Sequence, residues 1–195
     1  MRPGLVLGVF ALIFVAELPD KTMIATLIMG SRNRPVLVWI GATAAFAVHA
    51  SVAVLAGRLL ALLPHVWVEA VTALLFAGGA AYLLLVPEKV EETEGEEEVR
   101  AAPAGLRPVA TAFAVIFVGE FGDLTQILTA NLAAKYHQPL SVFVGAFAAL
   151  AAVAALGAFG GRALLRVLPL AIIRRAGGVL LAGFAVYTLV ELAVG

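Results

Sequence analysis

Four carboxylates stand where water is not expected. Glu17 and Asp20 are embedded in an apolar stretch, and Glu120 and Asp123 repeat the arrangement in the second half of the chain. Residues i and i+3 share a helix face. Each glutamate lies about a dozen residues into its stretch, which at ~1.5 Å per residue is roughly 18 Å of depth, near the middle of a bilayer. An ionised carboxylate there costs about 2.5–3.5 kcal/mol on insertion scales. Thr22 and Thr125 add hydroxyls, and Gln126 adds an amide oxygen. Packing alone would not demand four acids when glycine and alanine are abundant. Hard oxygen donors gathered at negative charge suit a hard divalent cation: Ca²⁺, Mn²⁺ or Mg²⁺. The chain has no cysteine and neither motif holds a histidine, which disfavours Zn²⁺, Cu⁺ and Ni²⁺. Desolvation and mutual repulsion would keep protons on such acids until a cation displaced them. Competition of that kind is the chemical requirement of cation/proton exchange.

Other residues extend the motif. Pro19 and Gly122 occupy equivalent places between the acids. Proline removes an intrahelical hydrogen bond and glycine relaxes the backbone, so both favour a break that turns carbonyls toward an ion. A simple kink is the alternative. Lys21 reads as an internal counter-charge; its counterpart is Leu124, so the halves differ in charge. Asn131, eleven residues after Glu120, returns to the same helix face and is a further pathway residue. His49 falls mid-span, where we expect a neutral imidazole hydrogen-bonded between helices, with a proton relay as the alternative. Glu69 and Glu191 lie near span ends within reach of water and are set aside, as are His65 and His137 in loops.

The elements that must position these residues follow from composition. Of 195 residues, 63% are hydrophobic and 13% charged, with a mean hydropathy of +1.04. Soluble domains are nearer half apolar and a quarter charged. A water-soluble enzyme, a nucleic-acid binder and a disordered chain are thereby excluded. Six apolar stretches can be drawn: Leu5–Gly30, Val36–Ala56, Val66–Val86, Val109–Ala134, Leu140–Gly160 and Leu170–Val194. Hydrocarbon offers no partners to unpaired backbone, and the stretches are too long for barrel strands, so the fold class is all-α integral membrane with six transmembrane helices. The first stretch lacks a small-residue cleavage site and reads as a retained helix. Trp39 and Trp67 lie near span ends as interfacial anchors.

The chain is internally duplicated. Ile13–Thr22 falls on Ile116–Thr125, Pro35 on Pro139, Gly41 on Gly145, Gly57-Arg58 on Gly161-Arg162, Pro64 on Pro169, and Gly78 with Tyr82 on Gly183 with Tyr187. Residues 1–86 and 109–195 form two three-helix repeats joined by an acidic segment, 87–108. Three is odd, so the second repeat is inverted, an architecture of secondary transporters with midplane sites. The segment carries Glu88, Glu91, Glu92, Glu94, Glu96, Glu97 and Glu98 and reads as a solvated, mobile linker. Arg2, Arg58 and Lys135 mark one side of the membrane; Arg32, Arg34, Lys89, Arg100, Arg107, Arg162, Arg166, Arg174 and Arg175 mark the other. The positive-inside rule places the latter group and the linker in the cytoplasm and both termini outside, in a bacterial inner membrane or a plasma membrane. Gly157 with Gly161, and the pair Gly78-Gly79, read as close helix packing.

With Glu17-Leu18-Pro19-Asp20-Lys21-Thr22 and Glu120-Phe121-Gly122-Asp123-Leu124-Thr125, the chain resembles the Golgi-type and bacterial divalent cation/proton exchangers of the GDT group. Their mark is a duplicated Glu-x-Gly-Asp-(Lys/Arg)-(Thr/Ser) motif in two inverted three-helix repeats joined by an acidic cytosolic loop. The resemblance spans essentially the whole chain. It implies exchange of Mn²⁺ or Ca²⁺ against protons and, for bacterial members, manganese export. It also implies that Glu17, Asp20, Glu120 and Asp123 hold the ion, with Thr22, Thr125 and Gln126 as auxiliaries. Pro19 departs from the motif glycine and Leu124 from the second basic residue. The metal is cargo and no cofactor is expected; the partners are the divalent ion, protons and membrane lipid, with no nucleic acid, and a homo-oligomer is left open. An exporter of another small solute would not need four acids, a passive cation channel would not couple to protons, and an intramembrane aspartyl enzyme would need unequal acids rather than a repeated motif.

Overall fold

Proline sets most helix boundaries, as its fixed φ and missing N–H favour the first turn. A computed structural model describes the chain apart from Pro19, residues 103–105, residues 168–169 and residue 195, and apart from the side chains of 88, 89, 91, 92, 161–171, 173 and 194. The described residues form α1 (Pro3–Glu17), α2 (Lys21–Arg32), α3 (Pro35–Leu60), α4 (His65–Leu85), α5 (Glu88–Arg100), α6 (Pro108–Gly119), α7 (Leu124–Tyr136), α8 (Pro139–Val167) and α9 (Leu170–Val194). Pro3, Pro35 and Pro108 open their helices, and Pro64 and Pro87 immediately precede theirs. His137 ends α7 in the left-handed region at φ 50°.

Among the described residues, four helices are long and apolar enough to cross a membrane: Pro35–Leu60, His65–Leu85, Pro139–Gly160 and Arg174–Ala193. The first and fourth expected spans are each two half-helices rather than one rod. The axes of α1 and α2 diverge by 73° and those of α6 and α7 by 72°, and counting each pair as one span gives up to six.

The motifs meet because each half's first long helix packs on the other half's broken pair. α3 lies along α6 and α7, while α8 lies along α1 and α2. Small residues permit these crossings: Gly41 faces Val109 and Ala112, Gly57 faces Ala130 and Ala133, Gly145 faces Val6 and Val9, and Gly157 faces Met23 and Thr26. Between them lies a core of Ile13, Val38, Ala45, Phe46, Ile116 and Val142. Leu55, Leu59, Leu74, Val179, Val186 and Val190 are exposed on the outside, an apolar belt suited to lipid. Trp39 donates its indole N–H to the Ala151 carbonyl at 2.9 Å, whereas Trp67 is exposed.

Two expectations are corrected here. The acidic segment is not simply a solvated linker: residues 88–100 are helical and α5 packs on α2. Glutamate is a good helix former, and Arg100 in the last turn complements the helix dipole. Glu69 is not bathed in water either: it is buried, 3.3 Å from His65 Nδ1 and 3.9 Å from Lys135 Nζ. Lys135 in turn reaches Glu191 at 2.6 Å.

Candidate cation site

Each motif begins where one half-helix ends. Glu17 is the last residue of α1 and Glu120 follows α6 directly, while Asp20 and Asp123 are the N-cap residues of α2 and α7. The same turn forms in both: the N–H of Asp20 donates to the Glu17 carbonyl at 3.1 Å, and that of Asp123 to the Glu120 carbonyl at 3.3 Å. Gly122 supplies the left-handed φ of 83° the second turn requires. Pro19, its counterpart, lies outside the described residues. An N-cap aspartate ordinarily folds back on its own helix. Neither Asp20 nor Asp123 makes a side-chain capping bond, so both carboxylates turn instead toward the space between the halves, at the positive ends of two half-helices.

The result is a cluster. Glu17, Asp20, Glu120 and Asp123 each offer a carboxylate oxygen, and these atoms all lie within 4.8 Å of one another. A single Ca²⁺ with bonds of ~2.3–2.6 Å separates opposite ligand oxygens by about 5 Å, so this spacing is on the scale of one hard cation. Glu17 and Glu120 are only 1% and 4% exposed. Glu17 Oε2 is buried with no hydrogen-bond partner, a lone pair left for something else.

The threonines tie the halves together. The Thr22 hydroxyl donates to Glu120, and the Thr125 hydroxyl donates to Glu17. Thr125 Oγ1 also lies 3.1 Å from Asp123 Oδ2. Each glutamate is thus oriented by the opposite repeat.

The other candidates fall around this centre. Gln126 braces the break rather than joining the acids. Its amide oxygen accepts the Gly122 N–H at 2.7 Å, and its amide nitrogen faces His49 Nδ1 at 3.0 Å. His49, Gln126, Glu120 and Thr125 share a small cavity of about 20 Å³, room for a single water. Asn131 is buried but donates to the Ile127 carbonyl of its own helix at 2.9 Å, so the structure does not bring it to the cluster. Lys21 reaches the Gly119 carbonyl at 2.8 Å and Glu98 Oε1 at 3.4 Å. Glu98 is one of seven acids in its segment, and nothing in the sequence singles it out. Burial raises its carboxyl above the ordinary value, and Lys21 opposes that shift.

A larger cavity of about 420 Å³ borders the cluster. Glu17, Asp20 and Asp123 line it together with Gly78 and Tyr82 of α4 and Glu94 of α5. Narrow acid-lined clefts with apolar walls concentrate cations.

An all-helical chain with discontinuous helices, buried paired acids and a polar entry between apolar helices has the anatomy of a membrane ion transporter. A profile of the divalent cation/proton antiporter GDT1 family matches residues 5–91 and again residues 108–194; the chain belongs to that family. PAM71 of Arabidopsis thaliana chloroplasts is 29% identical over 94% of this chain and 56% of its own length. GDT1-like protein 5 of the same plant is 27% identical over 92% of each chain. A Vibrio cholerae protein named "Putative manganese exporter" is 37% identical over 67% of this chain and 63% of its own length. The chain thus spans less than two thirds of several relatives, PAM71 among them. No solved structure matches.

Proposed function

We propose that the chain is a secondary transporter that exchanges a divalent cation, Mn²⁺ in first place and Ca²⁺ in second, for protons. The observation that carries this reading is the four carboxylate oxygens within 4.8 Å of one another, two from each half of the chain. Four negative charges in so small a buried volume require compensation, and either protons or one divalent cation can provide it. Cation and protons therefore compete for Glu17, Asp20, Glu120 and Asp123. Thr22 and Thr125 orient the glutamates, and Gln126 supports the turn.

The halves, residues 1–86 and 109–195, act as two inverted three-span repeats. Their elements follow the same order, two half-helices and then two long ones. Rocking one repeat against the other would expose the site to each side of the membrane in turn. The basic loops favour a cytoplasmic central segment and outward termini. The name of the Vibrio relative supports manganese as cargo and export as direction.

Reconstituted vesicles test the reading. An acidic lumen should drive Mn²⁺ uptake as protons leave, and a proton ionophore should stop it. Uptake that continues unchanged after the proton gradient collapses would indicate a passive channel. Glu17→Gln and Asp123→Asn should each abolish exchange while still inserting into the membrane. Wild-type rates in either would remove that residue from the site.

A further inference from the structure

Lys21 directly follows a cluster acid, and its ammonium sits at the seam between the motifs. It is held by the carbonyl of Gly119, the residue before Glu120, at 2.8 Å and by Glu98 at 3.4 Å. The acids acting on the ammonium are, in order of strength, Glu120, Glu98, Asp123 and Asp20, so it stands between the cluster and the acidic helix. Both partners of the ion pair are largely shielded, with side-chain exposures of 17% and 19%. Such an ammonium, left unpaired, would be drawn onto the cluster and would compete there with any arriving cation.

The fit of α5 shows how Glu98 gets there. A Cβ on Gly95 would lie 2.9 Å from the Lys21 carbonyl oxygen and 3.1 Å from the Ile24 side chain. A Cβ on Gly119 would lie 2.6 Å from the Glu98 carboxyl carbon. Gly95 thus lets the acidic helix seat against the motif, and Gly119 leaves room for the Glu98 carboxyl. One turn earlier, Glu94 lines the cavity shared by Glu17, Asp20 and Asp123. The second repeat has Leu124 where the first has Lys21 and needs no such partner.

We propose that Glu98 is a positioning residue of the cation site, supplied by the central acidic helix: by pairing with Lys21 it holds that ammonium off the four carboxylates and so sets their affinity for the divalent ion. The inference rests on the carboxylate cluster being the transport site. α5 is then part of the ion path, contributing one acid to the counter-charge and another to the entrance.

The test is initial-rate Mn²⁺ uptake by the full chain in vesicles at a fixed pH gradient. Glu98→Gln should raise the half-saturating Mn²⁺ concentration roughly tenfold, the scale of one charge-assisted contact, with maximal rate kept within about twofold. The effect should vanish in a Lys21→Leu background, because Glu98 acts only through that ammonium. Glu97→Gln, on the exposed side of α5, should behave as wild type. Glu98→Asp, which keeps the charge but shortens its reach, should show a smaller rise of the same kind and provides the readout if the amide variant does not insert. Unchanged half-saturation in Glu98→Gln, or in Glu98→Asp where that variant stands in for it, would overturn the proposal. So would an equal loss with and without Lys21, which would mean a merely structural role. If Glu17→Gln is inactive while Glu98→Gln matches wild type, only this inference falls. Wild-type transport by Glu17→Gln would instead remove the cluster reading beneath it.

Discussion

A buried carboxylate keeps its orientation only if something holds one oxygen, and here the holder comes from the opposite half. Thr22 serves Glu120 and Thr125 serves Glu17. Hydrogen bonds to charged groups contribute about 1.5–3 kcal/mol, so Thr22→Val or Thr125→Val should each raise half-saturating Mn²⁺ roughly ten- to hundredfold. Serine, which keeps the hydroxyl, should stay close to wild type. A silent valine at either position would show that the glutamates do not depend on the crossed bonds. The acids themselves were legible in the sequence, because ionisable groups inside an apolar stretch stand out by type alone. The crossed pairing was not. Spacing along the chain places Thr22 near Asp20, but only the interleaving of two halves places it on Glu120. Gln126 is a similar case: its oxygen looked available and is instead bonded to Gly122.

Half-helices rather than whole ones present the acids, and glycine is what permits both the breaks and the crossings around them. Gly122→Ala forces a Cβ into the left-handed region at φ 83°, which costs roughly 1–2 kcal/mol. Alanine there should lower thermal stability modestly and impair uptake, since the turn aims Asp123. Gly157→Leu should be far more damaging: its Cβ would press on the Met23 carbonyl and Thr26 of α2, displacing backbone rather than a flexible side-chain end. We expect poor recovery of that variant in detergent by size-exclusion chromatography, whereas Gly78→Ala, with open space around it, should be recovered like wild type. Apolar stretches in the sequence pointed to the helices, and small residues flagged close packing, which holds at Gly157 but not at Gly78; neither signal names the partner. That α3 takes α6 and α7, and α8 takes α1 and α2, depends on surfaces brought together only in three dimensions. For α5 the signal was present and outweighed. Its glutamates read as solvent-loving charge, while their helix propensity and the dipole-matched Arg100 pointed to order.

At the scale of the molecule, the last long helices of the two halves, α4 and α9, run side by side and are joined at both ends. Arg174 on α9 donates to the Tyr82 carbonyl at 3.4 Å and to the Val86 carbonyl at 2.7 Å, where α4 finishes. At the far end Lys135 bridges Glu69 of α4 and Glu191 of α9. On the proposed inverted plan these ends face opposite compartments, with the Arg174 end, the acidic helix and the large cavity toward the cytoplasm. The chain has no cysteine, so single introduced thiols report sidedness without background. Leu62, 82% exposed between α3 and α4, should face outward, and Glu97, exposed on α5, should face inward. In intact cells a membrane-impermeant maleimide should label Leu62→Cys, and should reach Glu97→Cys only after permeabilisation. The reverse pattern would turn the cavity to the outside and make the same site one that loads from there. Labelling of both in intact cells would mean that the chain inserts in two orientations, so that the three-to-nine bias of basic residues between the two sides fails to fix its topology.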